Sequence, residues 1–443
     1  MKEGFSKLSK QEKIDWVVKT FFKAGLKDSE ILKKYWNDDN SIQTIHDEFA
    51  ENTITNFYLP LGVAPNFIID KINYTIPMAI EESSVVAAAC KSAKFWSKRG
   101  GFKSTIINTT KTGQVHFKFN GSSKKINDLF NSIKNKLKDS CKEITKNMNE
   151  RGGGIKNIKL LDKTKSIKNY FQIAVEFDTV DSMGANFINS CLEQIALSFE
   201  TEFNRSTIFN DGEELKIIMS ILSNYTPECV VKVELKSKIS NLKSKDISDP
   251  ENFAKKFVEA VEIAEKDISR AVTHNKGIMN GIDAVVIATG NDFRAVEAAI
   301  HAYASKDGTY KSLTHAKIEN DELIYWIEIP ISIGTVGGII NLHPMVKWCL
   351  NLLQQPNSKQ LMSIIGAAGL AQNFSAIKSL ITSGIQVGHM KMHLINILNS
   401  LGANDNEKTK MIEYFKSNKV TFNSVKTVLE KLRKNELWDR KLW

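Results

Sequence analysis

Between residues 103 and 226 the hydrophobic period alternates between two and 3.6 residues, and the order of that alternation limits the architecture more than any other feature of the chain. "TIINTTKTGQVHFKFNG" alternates as a strand does, and "KKINDLFNSIKNKLKDSCKEITKNM" spaces its apolar residues as a helix does. "GIKNIKLLD" and "YFQIAVEF" read as two further strands, "DSMGANFINSCLEQIALSFETEF" as a second helix and "ELKIIMSIL" as a fourth strand. The succession βαββαβ predicts a ferredoxin-like unit, with both helices on one face of an antiparallel sheet.

The flanking segments have another character, so this unit reads as an insertion. "EESSVVAAACKSAKFWSKRGG" predicts a long, small-residue helix that begins with acid, ends with base and stops at Gly100 and Gly101. "GIDAVVIATG", apolar and bounded by glycine, predicts a strand, and "NDFRAVEAAIHAYAS" a helix begun by Asn291 and Asp292. Past residue 375 come short, lysine-rich amphipathic helices behind a linker holding Ser383 and Gly384, as in a movable flap. The expected fold is α+β: a large, mostly helical domain from residues 1–102 and 227–375, an inserted ferredoxin-like domain at 103–226, and a helical C-terminal flap at 376–443.

Composition bears on partners. The formal charge of +10 favours anionic ligands such as polyphosphates, nucleic acid or acidic lipid. Five scattered cysteines without a CxxC spacing support neither a disulfide framework nor a cysteine zinc site, and a reducing cytoplasm fits them best. No run of about 18 apolar residues is present to span a bilayer, and no signal peptide is legible.

Several side chains carry candidate chemistry. His389 and His393, in "GIQVGHMKMHLIN", stand one helical turn apart and suit a metal pair, two surface imidazoles, or one working proton donor beside an idle neighbour. Glu82 and Asp292 lie at helix starts, where a carboxylate is stabilised whatever its function, and Lys276 in "THNKGIMNGIDA" reads as a loop lysine. Were the three to meet, two carboxylates beside one ammonium would keep the lysine charged and leave one carboxyl able to give a proton, which suits reduction of a carbonyl. "DSMGAN" places an acid, a glycine and an amide at a helix N-terminus, a setting for an anionic group. "GTVGG" lacks the GxGxxG spacing of a dinucleotide fingerprint, and "AAGLAQNF" passes for helix packing.

In their order along the chain, "ENTITNFYLPLGVAPNF", "MAIEESSVVAAA", "DSMGAN", "RAVTHNKGIMNGIDAVVIATGNDFRAVEAAIHAYA", "GTVGG", "GLAQNF" and "GIQVGHMKMH" resemble the 3-hydroxy-3-methylglutaryl-coenzyme A (HMG-CoA) reductases, and among them the class II, bacterial-type branch. The resemblance implies a four-electron reduction of the thioester to mevalonate and free coenzyme A by two reduced nicotinamides. It implies catalytic Glu82, Lys276, Asp292 and His389, the last as donor to the departing thiolate. Substrate contacts are implied for Glu51, Ser84, Arg270, Asn280 and Asn373, and nicotinamide contacts for Asp181, Met183, Gly184 and Asn186 on the inserted, non-Rossmann domain. It further implies no metal and at least a homodimer with interfacial active sites. Three positions depart from the family pattern: Thr55 for a glycine, Ser83 for a proline, and Lys7 for an arginine expected at a coenzyme A phosphate.

The lysines of "IKNIKLLDKTKSIKN" favour the 2'-phosphate of NADPH over NADH. The same family working in the oxidative direction, on mevalonate, is the nearest alternative. A basic RNA-binding protein is a rival of another class, but "VHFKFNG" is not set in an RNP1 pattern, and neither nucleic acid nor membrane is an expected partner.

Overall fold

The computed structural model describes residues 3–22, 26–382 and 394–434. Helices α1 (Lys10–Phe21), α2 (Leu26–Lys33) and α3 (Asn40–Glu48) precede a hairpin of β1 (Leu61–Ile69) and β2 (Ile72–Ala79) and the helix α4 (Ser83–Ser97). A short β3 (Lys103–Ile106) leads to β4 (Lys111–Phe119), α5 (Ser123–Asp139), α6 (Lys142–Glu150), β5 (Gly154–Asp162), β6 (Tyr170–Asp178), α7 (Ala185–Arg205) and β7 (Leu215–Leu222). The chain returns through β8 (Val230–Lys238), α8 (Pro250–Lys266), α9 (Ile268–Ala288), α10 (Phe293–Ala304), β9 (Thr314–Glu319), β10 (Glu322–Pro330), α11 (Pro344–Leu352) and α12 (Ser358–Ile381). Helices α13 (Asp405–Tyr414) and α14 (Phe422–Arg433) follow.

The inserted unit is an antiparallel sheet in the order β5-β6-β4-β7, which is the ferredoxin-like order. Alternation along β4 and β6 turns Val115, Phe117, Phe171, Ile173 and Val175 to one face, where they pack with Phe130 of α5 and with Leu192 and Phe199 of α7. A second core joins the hairpin, α4, α8, α9, α12 and the sheet β3-β8-β10-β9.

Three sequence expectations are corrected here. The strand expected through 105–121 is two strands in different sheets: β3 pairs with β8, while β4 pairs with β6 and β7. Between them the Asn108 side chain accepts from the Thr109 N–H and the Thr110 hydroxyl, a local turn that interrupts the ladder. The helix expected through Met148 breaks at Ser140 and Cys141 into α5 and α6. Most consequentially, "GIDAVVIATG" is not a strand but the last third of α9. Ile282, Ala284, Val285, Val286 and Ala288 are all buried, so a helix enclosed on nearly every side loses its 3.6 period and imitates a buried strand. Lys276 therefore stands on a helix and not in a loop.

Helices α9 and α12 cross closely because glycines face each other's partner. A Cβ at Gly281 would lie 2.5 Å from the carbonyl oxygen of Ala368, and one at Gly369 would lie 2.8 Å from Ile282. Helix α12 has 24 residues and is apolar enough to cross a membrane, but its most apolar stretch is 67% buried in the core of the protein. It continues to Ile381, past residue 375 where the change of character was expected. Beyond it, Leu394, Leu398, Met411, Phe415, Val425 and Leu429 form a small core of their own. His389 and His393 lie outside the described residues.

Candidate active site

Glu82 is the N-cap residue of α4, yet its carboxylate makes no capping bond to the helix. It is left for other partners: Oε1 accepts from the Ser84 hydroxyl at 2.8 Å, and Oε2 lies 3.4 Å from the Lys276 ammonium. The Glu82 side chain is 36% exposed and that of Lys276 65%, so the pair opens to solvent instead of being sealed in the core.

Helix α9 sets the lysine beside other functional candidates. Its N-cap, Asp267, accepts from the Arg270 N–H at 2.6 Å. From there Arg270, Thr273, Lys276, Gly277 and Asn280 follow at helical spacing along one face. Arg270 and Asn280 are half-buried, and burial lowers the Arg270 pKa while leaving it a cation. Behind that face stands Asn373, 1% exposed. Its Nδ2 donates to the His274 carbonyl at 3.2 Å and would touch, at 3.9 Å, any Cβ placed on Gly277. Its Oδ1 accepts from Thr314 at 3.3 Å and from the Tyr325 hydroxyl.

Because Thr314 Oγ1 gives its hydrogen to Asn373, the His274 Nε2 at 2.5 Å from it is the donor. Nδ1 is then the bare nitrogen, and it is buried without a partner. Burial, with Arg270 and His315 nearby, drops the His274 pKa to about 3, so the imidazole is neutral. His274, Thr314 and Tyr325 thus form a hydrogen-bonded wall that sequence reasoning missed. The "THN" beside Lys276 was its one visible signal.

Asp292 caps α10, accepting from the N–H groups of Arg294 at 3.1 Å and Ala295 at 3.2 Å, and it pairs with the Arg294 guanidinium at 3.1 Å. Burial pushes its pKa up, but the Arg294 and backbone hydrogen bonds outweigh it, and the carboxyl ends below the ordinary aspartate value. Among the described residues no ion pair joins Asp292 to Lys276, so the expected meeting of all three charges is not made within one chain. Asp292 belongs instead with the "DSMGAN" turn, since its neighbour Asn291 accepts from the Gly334 N–H at 2.8 Å and a Cβ at Gly334 would lie 2.5 Å from the Met183 nitrogen.

In that turn Gly184 caps α7 with φ of 84° and no side chain to occupy the helix N-terminus, and a Cβ there would strike Thr179 at 2.4 Å. Met183 is half-buried and Asn186 exposed. Asp181 faces the large unit, its Oδ1 accepting from the Ser358 N–H at the start of α12 at 2.8 Å. Glu51 is exposed in the turn after α3. Thr55, the glycine replacement, donates to the Leu32 carbonyl at 2.6 Å and so tethers α2 to that turn. Of the lysines expected at a cofactor phosphate, Lys159 pairs with Glu176 at 2.6 Å and Lys156 with Asp178 at 4.0 Å, as on a solvated sheet face; Lys163, Lys165 and Lys168 are exposed.

A family model described as hydroxymethylglutaryl-coenzyme A reductase matches residues 10–394. The chain is 35% identical over 434 residues to the 3-hydroxy-3-methylglutaryl-coenzyme A reductase of Archaeoglobus fulgidus, covering 97% of this chain and 94% of that protein. It is 32% identical to a probable reductase of the same name from Borreliella burgdorferi, over 94% of this chain and 92% of the relative. Among solved structures it resembles the Streptococcus pneumoniae reductase with a TM-score of 0.73 at 32% identity, over 97% and 99% of the two chains. A class II structure from the same organism, bound to NADPH in open conformations, matches with a TM-score of 0.71 at 32% identity over 86% and 99%.

Proposed function

The chain belongs to the hydroxymethylglutaryl-coenzyme A reductase family, and from that premise we propose how its own residues divide the work of reducing HMG-CoA to mevalonate and coenzyme A. When bound, reduced nicotinamide would supply the hydrides, one from each of two molecules per turnover. Lys276 donates to the oxygen of the thioester carbonyl and then to that of the aldehyde, holding the negative charge that develops on each. Glu82, in contact with Lys276, moves protons to those oxygens, and Ser84 fixes the rotamer of Glu82. Arg270 holds the free carboxylate of the substrate, with Asn280 on the same helix face beside it. Asn373, backed by Thr314 and Tyr325, orients the acyl end. The observation that carries this assignment is the Lys276–Glu82 pair, opening onto the same face of α9 as Arg270 and Asn280.

Coenzyme A is assigned to the cleft of about 790 Å³ between α4, α8 and α12, where Lys91 and Lys256 supply positive charge while Lys378 pairs with Asp246 at 2.9 Å. Lys91 lies on α4 about 13.5 Å along from Glu82, a distance that suits an extended pantetheine arm. The pyrophosphate of NADPH is assigned to the "DSMGAN" turn, because the N-terminus of α7 carries no side-chain cap and suits an anionic group. His389 is assigned the proton given to the departing thiolate. The His389→Gln variant is expected to bind both substrates and turn over slowly, and equal loss in His393→Gln would contradict the assignment.

A homodimer completes the site in this proposal, with Asp292 of one subunit serving the Lys276–Glu82 pair of the other. Support comes from the exposed Phe57, Tyr58, Leu59, Leu342, Met345 and Trp348 near a groove of about 610 Å³. With its reduced cysteines the enzyme is assigned to the cytoplasm. Two tests apply. Purified protein given HMG-CoA should oxidise NADPH faster than NADH, and a folded protein that oxidises neither contradicts the function. Co-expressed Lys276→Met and Asp292→Asn chains, each inactive alone, should regain activity by forming mixed dimers with one intact site; no recovery places both residues in one subunit.

A further inference from the structure

Lys111 opens β4 at the seam between the inserted unit and the large one, and it is 5% exposed. Its ammonium lies 2.7 Å from Thr179 Oγ1, 2.7 Å from the Ser182 carbonyl, 3.1 Å from the Met183 carbonyl and 3.4 Å from the Ile333 carbonyl. Thr179 itself donates to the Ser182 carbonyl at 2.6 Å. An ammonium taken out of water is costly unless its hydrogens are bonded, and here they gather carbonyls from both units.

We propose that Lys111 is a positioning residue for nicotinamide dinucleotide, holding the "DSMGAN" turn in the conformation that receives it; this rests on the assignment of that turn to the cofactor. The geometry follows from the planar trans peptide. With the Ser182 and Met183 carbonyls drawn onto Nζ, the N–H groups of Met183 and Gly184 point away from it. Without the ammonium the Met183 carbonyl loses the donor that holds it and the Ser182 carbonyl keeps only the Thr179 hydroxyl, so the strained turn, with Val180 at φ 51°, loses the contact that ties its two carbonyls together.

Burial lowers the Lys111 pKa to about 8, the nearby Cys229, Asp178 and Asp181 opposing the drop. The Cys229 thiol, raised to about 11 by burial, stays neutral around that pH. Loss of the Lys111 charge is therefore expected to weaken dinucleotide binding as the pH passes 8.

The test is steady-state kinetics on the full-length enzyme with NADPH. Lys111→Met should raise the KM for NADPH about tenfold, with kcat and the KM for HMG-CoA within about twofold. Thr179→Val should do the same more weakly, about threefold. The wild-type KM for NADPH should climb between pH 7.5 and 9, and that climb should vanish in Lys111→Met. An unchanged KM for NADPH in folded Lys111→Met, or an equal rise for HMG-CoA, overturns the proposal. If Lys111→Met does not fold, Thr179→Val and the wild-type pH profile decide it. Asn186→Ala separates the two levels: if it raises the KM for NADPH while Lys111→Met does not, only the role of Lys111 fails; if it too has no effect, the assignment of the turn fails.

Discussion

The Lys276 ammonium lies 3.4 Å from Oε2 of Glu82, across the gap between α9 and the N-terminus of α4. In the proposed chemistry the lysine steadies the developing oxyanion and the glutamate moves protons, and both side chains are open to solvent. Because Lys276 is exposed and Glu82 only half-buried, removing either should leave the fold intact. Lys276→Met and Glu82→Gln should each lower kcat by about 10²- to 10⁴-fold with Tm within a degree or two of the parent. Measured kcat within threefold of wild type in either variant would remove that residue from the chemistry.

A pair of acids predicts how stability responds to pH. Asp283, on α9, is pushed up to about 8 first by burial and then by Glu297 on α10, and its Oδ1 is buried without a partner. A carboxyl whose folded pKa is raised binds its proton more tightly in the folded state. Its stabilising contribution is full below pH 4 and is lost as the pH rises to about 8. Tm should therefore fall across this window, and Asp283→Asn should flatten the fall and be relatively more stable at pH 8.5. Parallel Tm curves for the two proteins would contradict this.

The close crossing of α9 and α12 predicts that Gly281→Ala is damaging. The new methyl would meet backbone, the Ala368 carbonyl at 2.5 Å, which has no rotamer with which to yield. A loss of about 1–3 kcal/mol is expected. Since the crossing also sets His274 and Gly277 of α9 against Asn373, the KM for HMG-CoA should rise as well. Thermal melts and kinetics on the same sample check both.

Tyr325→Phe isolates the hydrogen-bonded wall behind Asn373. It removes one of two donors to Asn373 Oδ1 and leaves a fully buried aromatic ring in place. Stability should drop by about 1–2 kcal/mol. The KM for HMG-CoA should rise with little change in that for NADPH, and equal rises in both would argue against Asn373 as an acyl-end residue.

The ferredoxin-like order was legible because its strands face a core on one side only, so their period of two survives in the sequence. Helix α9 was misread for the opposite reason: from Gly281 to Ala288 nearly every face is buried, and no periodicity remains to separate helix from strand. Glu82, Lys276 and Asp292 were each named from short motifs, but motifs do not say which side chains meet. Within the chain Asp292 pairs with Arg294, two residues away and unremarkable in the sequence. Lys111 gave no signal at all, since one lysine at a strand start looks like any solvated charge until its burial is seen.

The most direct measurement follows nicotinamide and thiol together. Purified enzyme with limiting HMG-CoA and excess NADPH should oxidise two nicotinamides for each coenzyme A thiol released, at one site built on Glu82 and Lys276, and Lys276→Met should abolish both signals together. A ratio of one, or thiol release that continues in Lys276→Met without oxidation of NADPH, would contradict a four-electron reduction at this site.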